Sequence, residues 1–264
     1  MNARSLVPAL AARAWAQQGR QVLAVPAAVS TGIIVLLLVL PQLIPGGRHG
    51  DQTLPPGAAV RIVDGTADGT ASAMAVALLT APALLGIGAA LLSLTVSRSI
   101  LGPDVSSGVM ENLLATSMRP RSVFLCYVCA AFGLSALAWA VLAGTFLGLT
   151  TAVLAFSGSG VEVTGGYLTT SLLLPLASML WATSLISFVA FVRPAWLKIT
   201  AGLNGGPVRL AGILPALGSV IFTTVRPQDC GTFSWPYVIG VSCASAALMA
   251  ALAALFNSER LLES

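Results

Sequence analysis

The sequence predicts an all-α, polytopic membrane protein with six transmembrane helices. Of its 264 residues, 56% are hydrophobic and 8% are charged, and the mean hydropathy is +0.91. Soluble domains carry about 25% charged residues, so this chain is not an ordinary cytosolic enzyme. Uncharged runs include 27 residues between Arg20 and Arg48 and 40 between Arg121 and Glu162. Because about 20 apolar residues cross a bilayer core, these runs predict membrane spans.

The predicted spans lie near residues 21–43, 72–97, 122–145, 167–192, 208–225 and 237–256. The run 122–161 is long enough for one helix or for two spans with a tight turn. With one span there and the N-terminus inside, ten Lys and Arg residues lie in the cytoplasm and three lie outside, whereas a split gives seven against six. Since cytoplasmic loops are enriched in Lys and Arg, six spans with both termini in the cytoplasm are favoured. The third helix then continues past the membrane or breaks near Gly144 and Gly148.

Two segments outside the spans carry local predictions. Residues 1–20 are predicted to form an interfacial helix, with Leu6 and Leu10 toward the acyl chains and Arg13 in water. The alternative is a frayed tail. Residues 45–70 are rich in Gly and Pro, which disfavour a regular helix, and are predicted to form an extracytoplasmic loop.

The predicted spans hold no Asp, Glu, Lys, Arg or His, except for Arg209 at the edge of the fifth. Ion-coupled carriers usually need such a group in the membrane, which argues against a proton-driven antiporter. Paired intramembrane carboxylates and a His-Glu-x-x-His motif are also missing, so intramembrane aspartyl proteases and metalloproteases are excluded. We therefore predict no catalytic, cofactor-binding or metal-binding residue in this chain. The energy for any transport is expected to come from a partner subunit.

The predicted cytoplasmic loop 98–121 carries the most specific pattern. Gly102-Pro103 is expected to end the second helix, and Asp104, Ser106 or Ser107 to cap a new one. Apolar residues at helical spacing then form one face of a short amphipathic helix. These are Val109, Met110, Leu113 and Leu114. Such a helix either packs under the bundle as an interfacial element or docks a soluble partner.

The segment Gly108-Val109-Met110-Glu111-Asn112-Leu113-Leu114-Ala115-Thr116, preceded by Asp104 and followed by Arg119 and Arg121, resembles the cytoplasmic motif of type-2 ABC exporter permeases. Val109 stands where that family has Thr, Met110 where it has Leu, and Ser117 where it commonly has Pro. The C-terminal residues 256–262 also resemble the family. The resemblance implies a coupling helix between the second and third spans, which docks the partner through Asp104, Gly108, Met110, Glu111, Leu113, Leu114, Arg119 and Arg121.

The same resemblance implies that residues 1–264 form a single transmembrane permease domain in a bacterial inner membrane. The permease would pair with a second copy or a paralogue, and with P-loop subunits that bind ATP and Mg. This chain has no Gly-x-x-x-x-Gly-Lys-Ser/Thr motif for ATP phosphates. The charge-free interior suggests an apolar or amphipathic cargo. The alternatives are a haem-exporter-like permease of cytochrome c maturation, an ATP-independent channel or carrier, and a membrane scaffold without transport.

Overall fold

The computed structural model describes residues 3–43, 60–62, 69–107, 109, 120–157, 161–193, 196, 206–225 and 230–255. In chain order, the elements in these ranges are α1 (Ala3–Leu43), β1 (Val60–Ile62), α2 (Gly69–Ser106), α3 (Pro120–Ser157), β2 (Val161–Val163), α4 (Gly165–Val192), α5 (Gly206–Val225) and α6 (Cys230–Leu255). All six of these helices are long and apolar enough to cross a membrane. This confirms the predicted helical class and the predicted number of spans.

Polar side chains inside these helices bond mostly to their own backbone. Ser93 Oγ donates to the Ala89 carbonyl at 2.7 Å, and Ser187 Oγ donates to the Thr183 carbonyl at 2.8 Å. Because hydrocarbon supplies no hydrogen-bond partner, a spanning segment must satisfy its polar groups internally. The α-helix satisfies the backbone groups. The two hydroxyl groups donate to carbonyl oxygens one turn earlier in the same helix.

The helix α3 is one continuous element of 38 residues. Its length is about 57 Å, against about 30 Å for a bilayer core. Of the two alternatives for this run, the long helix is therefore correct, and no break occurs at Gly144 or Gly148. A Cβ atom added at either glycine would meet nothing within 4 Å. Their Gly-x-x-x-Gly spacing thus mediates no close helix contact within the described chain.

A short two-stranded sheet lies at one end of the bundle and was not predicted. Strand β1 pairs antiparallel with β2, with Val60 opposite Val163 and Ile62 opposite Val161. Val60 is fully buried and belongs to the same apolar cluster as Phe146 of α3 and Tyr167 of α4. The sheet joins the connection between α1 and α2 to the connection between α3 and α4. Both connections therefore lie at the same end of the bundle, as six alternating spans require.

The helices α2 and α4 form the centre of the bundle. In each of their spans 61% of the residues are buried, compared with 11% in the span of α6. Ser30 of α1 donates a hydrogen bond of 2.7 Å to the Leu142 carbonyl of α3. Trp181 of α4 donates one of 2.9 Å to the Ala211 carbonyl of α5. These two bonds connect neighbouring helices within the bundle.

Residues 3–20 are not a separate interfacial element, because they form the first half of α1. Leu6 and Leu10 are only 4% and 6% exposed, and they share a buried cluster with Ile100 of α2 and Val123 of α3. The expectation that these two leucines face the acyl chains is therefore wrong. These leucines bury their apolar surface against two neighbouring helices instead.

The second helix does not end at Gly102-Pro103 as expected, since α2 continues to Ser106 with Pro103 inside it. The backbone N–H of Ser107 donates to the Pro103 carbonyl at 2.9 Å, and Ser107 Oγ donates to the same oxygen at 2.6 Å. Ser107 therefore closes the last turn of α2. Of the three residues predicted to cap a new helix, Asp104 and Ser106 instead lie inside α2, and, apart from Val109, the helix itself would lie outside the described residues.

We predict that Gly212→Leu destabilises the contact between α5 and α2. A Cβ atom at position 212 would lie 2.7 Å from Leu94 Cδ1, so a leucine there overpacks the interface at a cost of about 1–3 kcal/mol. Thermal unfolding of the purified protein in detergent measures this loss. Gly218→Leu is the matched control, because a Cβ at 218 on the same helix meets nothing within 4 Å. Equal unfolding temperatures for the two variants would contradict the predicted contact.

Candidate partner-docking site

Asp104 lies in the last turn of α2, beside the segment that carries the motif described above. It is only 2% exposed. A buried carboxylate without partners is costly, because it loses its hydration and gains nothing in return. The surroundings of Asp104 must therefore supply hydrogen-bond donors or a positive charge.

Arg13 of α1 supplies Asp104 with hydrogen-bond donors and with a positive charge. Its Nη1 donates to Asp104 Oδ1 at 2.9 Å and its Nη2 donates to Asp104 Oδ2 at 2.7 Å, which forms a two-pronged ion pair. Paired, charge-assisted bonds of this kind are the strongest hydrogen bonds between side chains. The hydrogen bond to Asp104 raises the pKa of Arg13 above its ordinary value. The arginine side chain remains 40% exposed, so one side of the pair is accessible to solvent.

Tyr127 of α3 supplies the third donor. Its hydroxyl group donates to Asp104 Oδ2 at 2.6 Å, and the tyrosine is fully buried. Asp104 therefore accepts three short hydrogen bonds from two other helices. We refer to Arg13, Asp104 and Tyr127 as the Asp104 cluster.

The Asp104 cluster joins three helices at one end of the bundle. Arg13 lies in the first third of α1, Asp104 at the end of α2 and Tyr127 near the start of α3. The helices α1 and α3 thus run in the same direction and α2 runs against them. The connection from α2 to α3 begins and ends next to this cluster.

The structure describes two of the eight residues predicted to dock a partner. These are Asp104 and Arg121, and Arg121 lies in the first turn of α3. The other six lie outside the described residues, and they are Gly108, Met110, Glu111, Leu113, Leu114 and Arg119. Residues 256–262, which carry the second part of the resemblance, also lie outside them. The docking role of all eight residues stays a prediction, although the Asp104 carboxylate itself points to Arg13 and Tyr127.

Val109 is the one described residue between Ser107 and Pro120. It has helical backbone conformation and is 38% exposed. The predicted apolar face of the short helix includes this residue. Its exposed side chain leaves this valine accessible to a partner or to lipid.

Sequence reasoning missed Arg13 and Tyr127 as partners of Asp104. Arg13 was expected in water, and Tyr127 is part of an apolar run without an obvious polar role. The available signal was Asp104 itself, because a carboxylate at the end of an apolar helix needs a cation or several donors. Which cation it finds depends on the packing of α1 against α2 and α3.

The described residues contain no group of three His, Cys, Asp or Glu side chains that could hold a metal ion. Comparisons of the chain with protein-family models, with curated proteins and with solved structures found no match. The features of this chain that bear on its function are therefore the six helices, the Asp104 cluster and the motif within residues 104–121.

We predict that Tyr127→Phe lowers the free energy of unfolding by about 1.5–3 kcal/mol, because it removes a hydrogen bond to a charged group. Tyr167→Phe is the matched control. The Tyr167 hydroxyl is equally buried but faces the uncharged Ser171 hydroxyl rather than a carboxylate, so its removal is expected to cost less than the removal of the Tyr127 hydroxyl. Unfolding by denaturant in detergent compares the two variants. A similar loss in both would show that the Tyr127 hydroxyl has no special role.

Proposed function

We propose that this chain is the transmembrane permease subunit of an ATP-driven exporter of the type-2 ABC superfamily. It would act in a bacterial inner membrane with both termini in the cytoplasm. Its cargo would be an apolar or amphipathic molecule that leaves the cytoplasm. A separate P-loop subunit would bind ATP and Mg and supply the energy.

The position of the motif supports this proposal most directly. Residues 108–119 connect the end of α2 to the start of α3, and the Asp104 cluster ties both helix ends to α1. A soluble partner that moves this connection would pull on α2 and α3 through the chain itself. The ion pair with Arg13 would carry the same movement to α1. A docking element anchored in this way can transmit force to half of the bundle.

The distribution of charge supports an external source of energy. Within the six candidate spans, every Asp, Glu, Lys, Arg and His residue lies within about two helical turns of an end of its span. These residues are Arg20, Arg98, Asp104 and Arg209. A carrier that couples transport to protons usually places an ionisable group within the membrane along the proton path. The middle of these spans offers no such group.

The proposed complex contains two permease chains, either two copies or this chain and a paralogue, and two ATP-binding subunits. The two permease chains would form the path for the cargo between them. The exposed leucines of α5, at positions 210, 214 and 217, belong to the apolar surface that contacts lipid or a second permease.

We predict that the chain, purified from its native membrane under mild conditions, brings with it a P-loop ATP-binding subunit. Glu111→Lys should lower the recovery of that subunit, since the resemblance places Glu111 on the docking helix. Glu162→Lys is the control with the same change of charge, because Glu162 is an exposed residue of β2 at the other end of the bundle. The amount of ATP-binding subunit recovered per permease, and its ATPase activity, measure the effect.

Two results would contradict the proposal. One is a chain that inserts and purifies without any ATP-binding subunit. The other is an equal recovery of that subunit with Glu111→Lys and with Glu162→Lys. Flux of a solute through vesicles that contain the chain alone would favour the ATP-independent channel or carrier instead.

A further inference from the structure

Two hydroxyl groups in the first two turns of α4 are buried without a direct hydrogen-bond partner. Tyr167 is 1% exposed and Ser171 is 0% exposed. The two residues are four positions apart, so they lie on one face of the helix, and the Tyr167 hydroxyl faces the Ser171 hydroxyl. Neither oxygen forms a hydrogen bond to the other or to any other described residue. Burial of this kind is costly, because each hydroxyl group gives up its bonds to water and gains none in return.

The Ser171 hydroxyl differs from neighbouring hydroxyl groups of α4 that bond to their own helix. Thr170 Oγ1 donates to the Gly166 carbonyl at 2.8 Å. Ser178 Oγ donates to the Leu174 carbonyl at 3.0 Å. Ser171 Oγ does not use the carbonyl one turn earlier in this way. Its hydroxyl group is therefore left for a partner outside the helix backbone.

The backbone carbonyl of Ser171 is a third polar group at the same place. Pro175 lies inside α4, four residues after Ser171, and has no N–H to donate to that carbonyl. The same arrangement occurs in α5, where Pro215 removes the usual donor of the Ala211 carbonyl and Trp181 Nε1 donates to it at 2.9 Å. No side chain of the described residues donates to the Ser171 carbonyl. In membrane helices, ordered water is another donor that satisfies a carbonyl freed by proline.

The surroundings restrict what can bind to these three groups. Tyr167 belongs to a buried apolar cluster with Val60 of β1, Leu78 of α2 and Phe146 of α3. Ser171 lies about 9 Å from the start of the candidate span Gly165–Val192. The two hydroxyl groups and the carbonyl are all uncharged, and an ion in an apolar site without a counter-charge is very costly. The ligand must therefore be small, neutral and able both to donate and to accept hydrogen bonds.

We propose that α4 binds one ordered water molecule at Tyr167 and Ser171. The Tyr167 hydroxyl donates to this water, and the water donates to Ser171 Oγ and to the Ser171 carbonyl. Three hydrogen bonds is the number that a buried water molecule typically makes. The water supplies the bond that Pro175 removes and satisfies both hydroxyl groups. This site goes beyond the proposed export function, because it depends neither on a cargo nor on an ATP-binding subunit.

An experimental structure of the chain in lipid nanodiscs, at a resolution that shows ordered water, tests the site directly. The expected result is a density peak about 2.6–3.0 Å from the Tyr167 hydroxyl oxygen, from Ser171 Oγ and from the Ser171 carbonyl oxygen. A direct hydrogen bond between the two hydroxyl groups, with no peak beside them, would overturn the proposal.

Thermal unfolding in detergent tests whether the two hydroxyl groups share one ligand. Ser171→Ala and Tyr167→Phe are each expected to lower the unfolding temperature, and the double variant by less than the sum of the two shifts, because either change already releases the water. Ser187→Ala is the matched control, since Ser187 is equally buried but donates to the Thr183 carbonyl of its own helix. Its shift should add to that of Tyr167→Phe. Unchanged or raised unfolding temperatures for Ser171→Ala and Tyr167→Phe, or additive shifts in their double variant, would overturn the proposal.

Discussion

The near-complete burial of the Asp104 carboxylate is the constraint on which one end of this bundle depends. A buried charge requires compensation, and here three donors from two other helices provide it. Arg13 can reach Asp104 only if α1 begins well before its membrane span. Tyr127 can reach it only if α3 starts at the same end of the bundle. The continuous α1, the extension of α2 past Pro103 and the direction of α3 are all consistent with this single contact.

The contact of Asp104 with Arg13 and Tyr127 lies next to the segment that is proposed to dock a partner. The connection from α2 to α3 carries the motif that resembles a partner-docking helix, and both of its ends lie beside the Asp104 cluster. An ion pair that is partly exposed and partly buried can hold this region in one arrangement while remaining accessible to solvent on one side. Under the proposed function, the ATP-binding subunit acts on this region.

Much of the architecture follows from the uncharged runs alone. The six spans are predicted because the few charged residues of this chain leave long uncharged runs between them. The region of α3 was correctly expected to form one span rather than two. Three features were not predicted from the sequence. Residues 3–20 continue into the first span, α2 runs through Pro103, and β1 pairs with β2. Each depends on contacts between distant segments that local preferences cannot show. Within the candidate site, Asp104 was predicted from its place in the motif. Arg13 and Tyr127 are recognised as its partners only from the packing of three helices.

A double-mutant cycle on Arg13 and Asp104 tests the central claim most directly. Arg13→Gln, Asp104→Asn and the double variant are unfolded in detergent, and the three losses in free energy are compared. If the two side chains form the contact described here, the single losses are not additive, and the interaction energy is about 1–3 kcal/mol. Losses that add to within about 0.5 kcal/mol would show that the two residues act independently. That result would contradict the role of the Asp104 cluster in holding the three helices together.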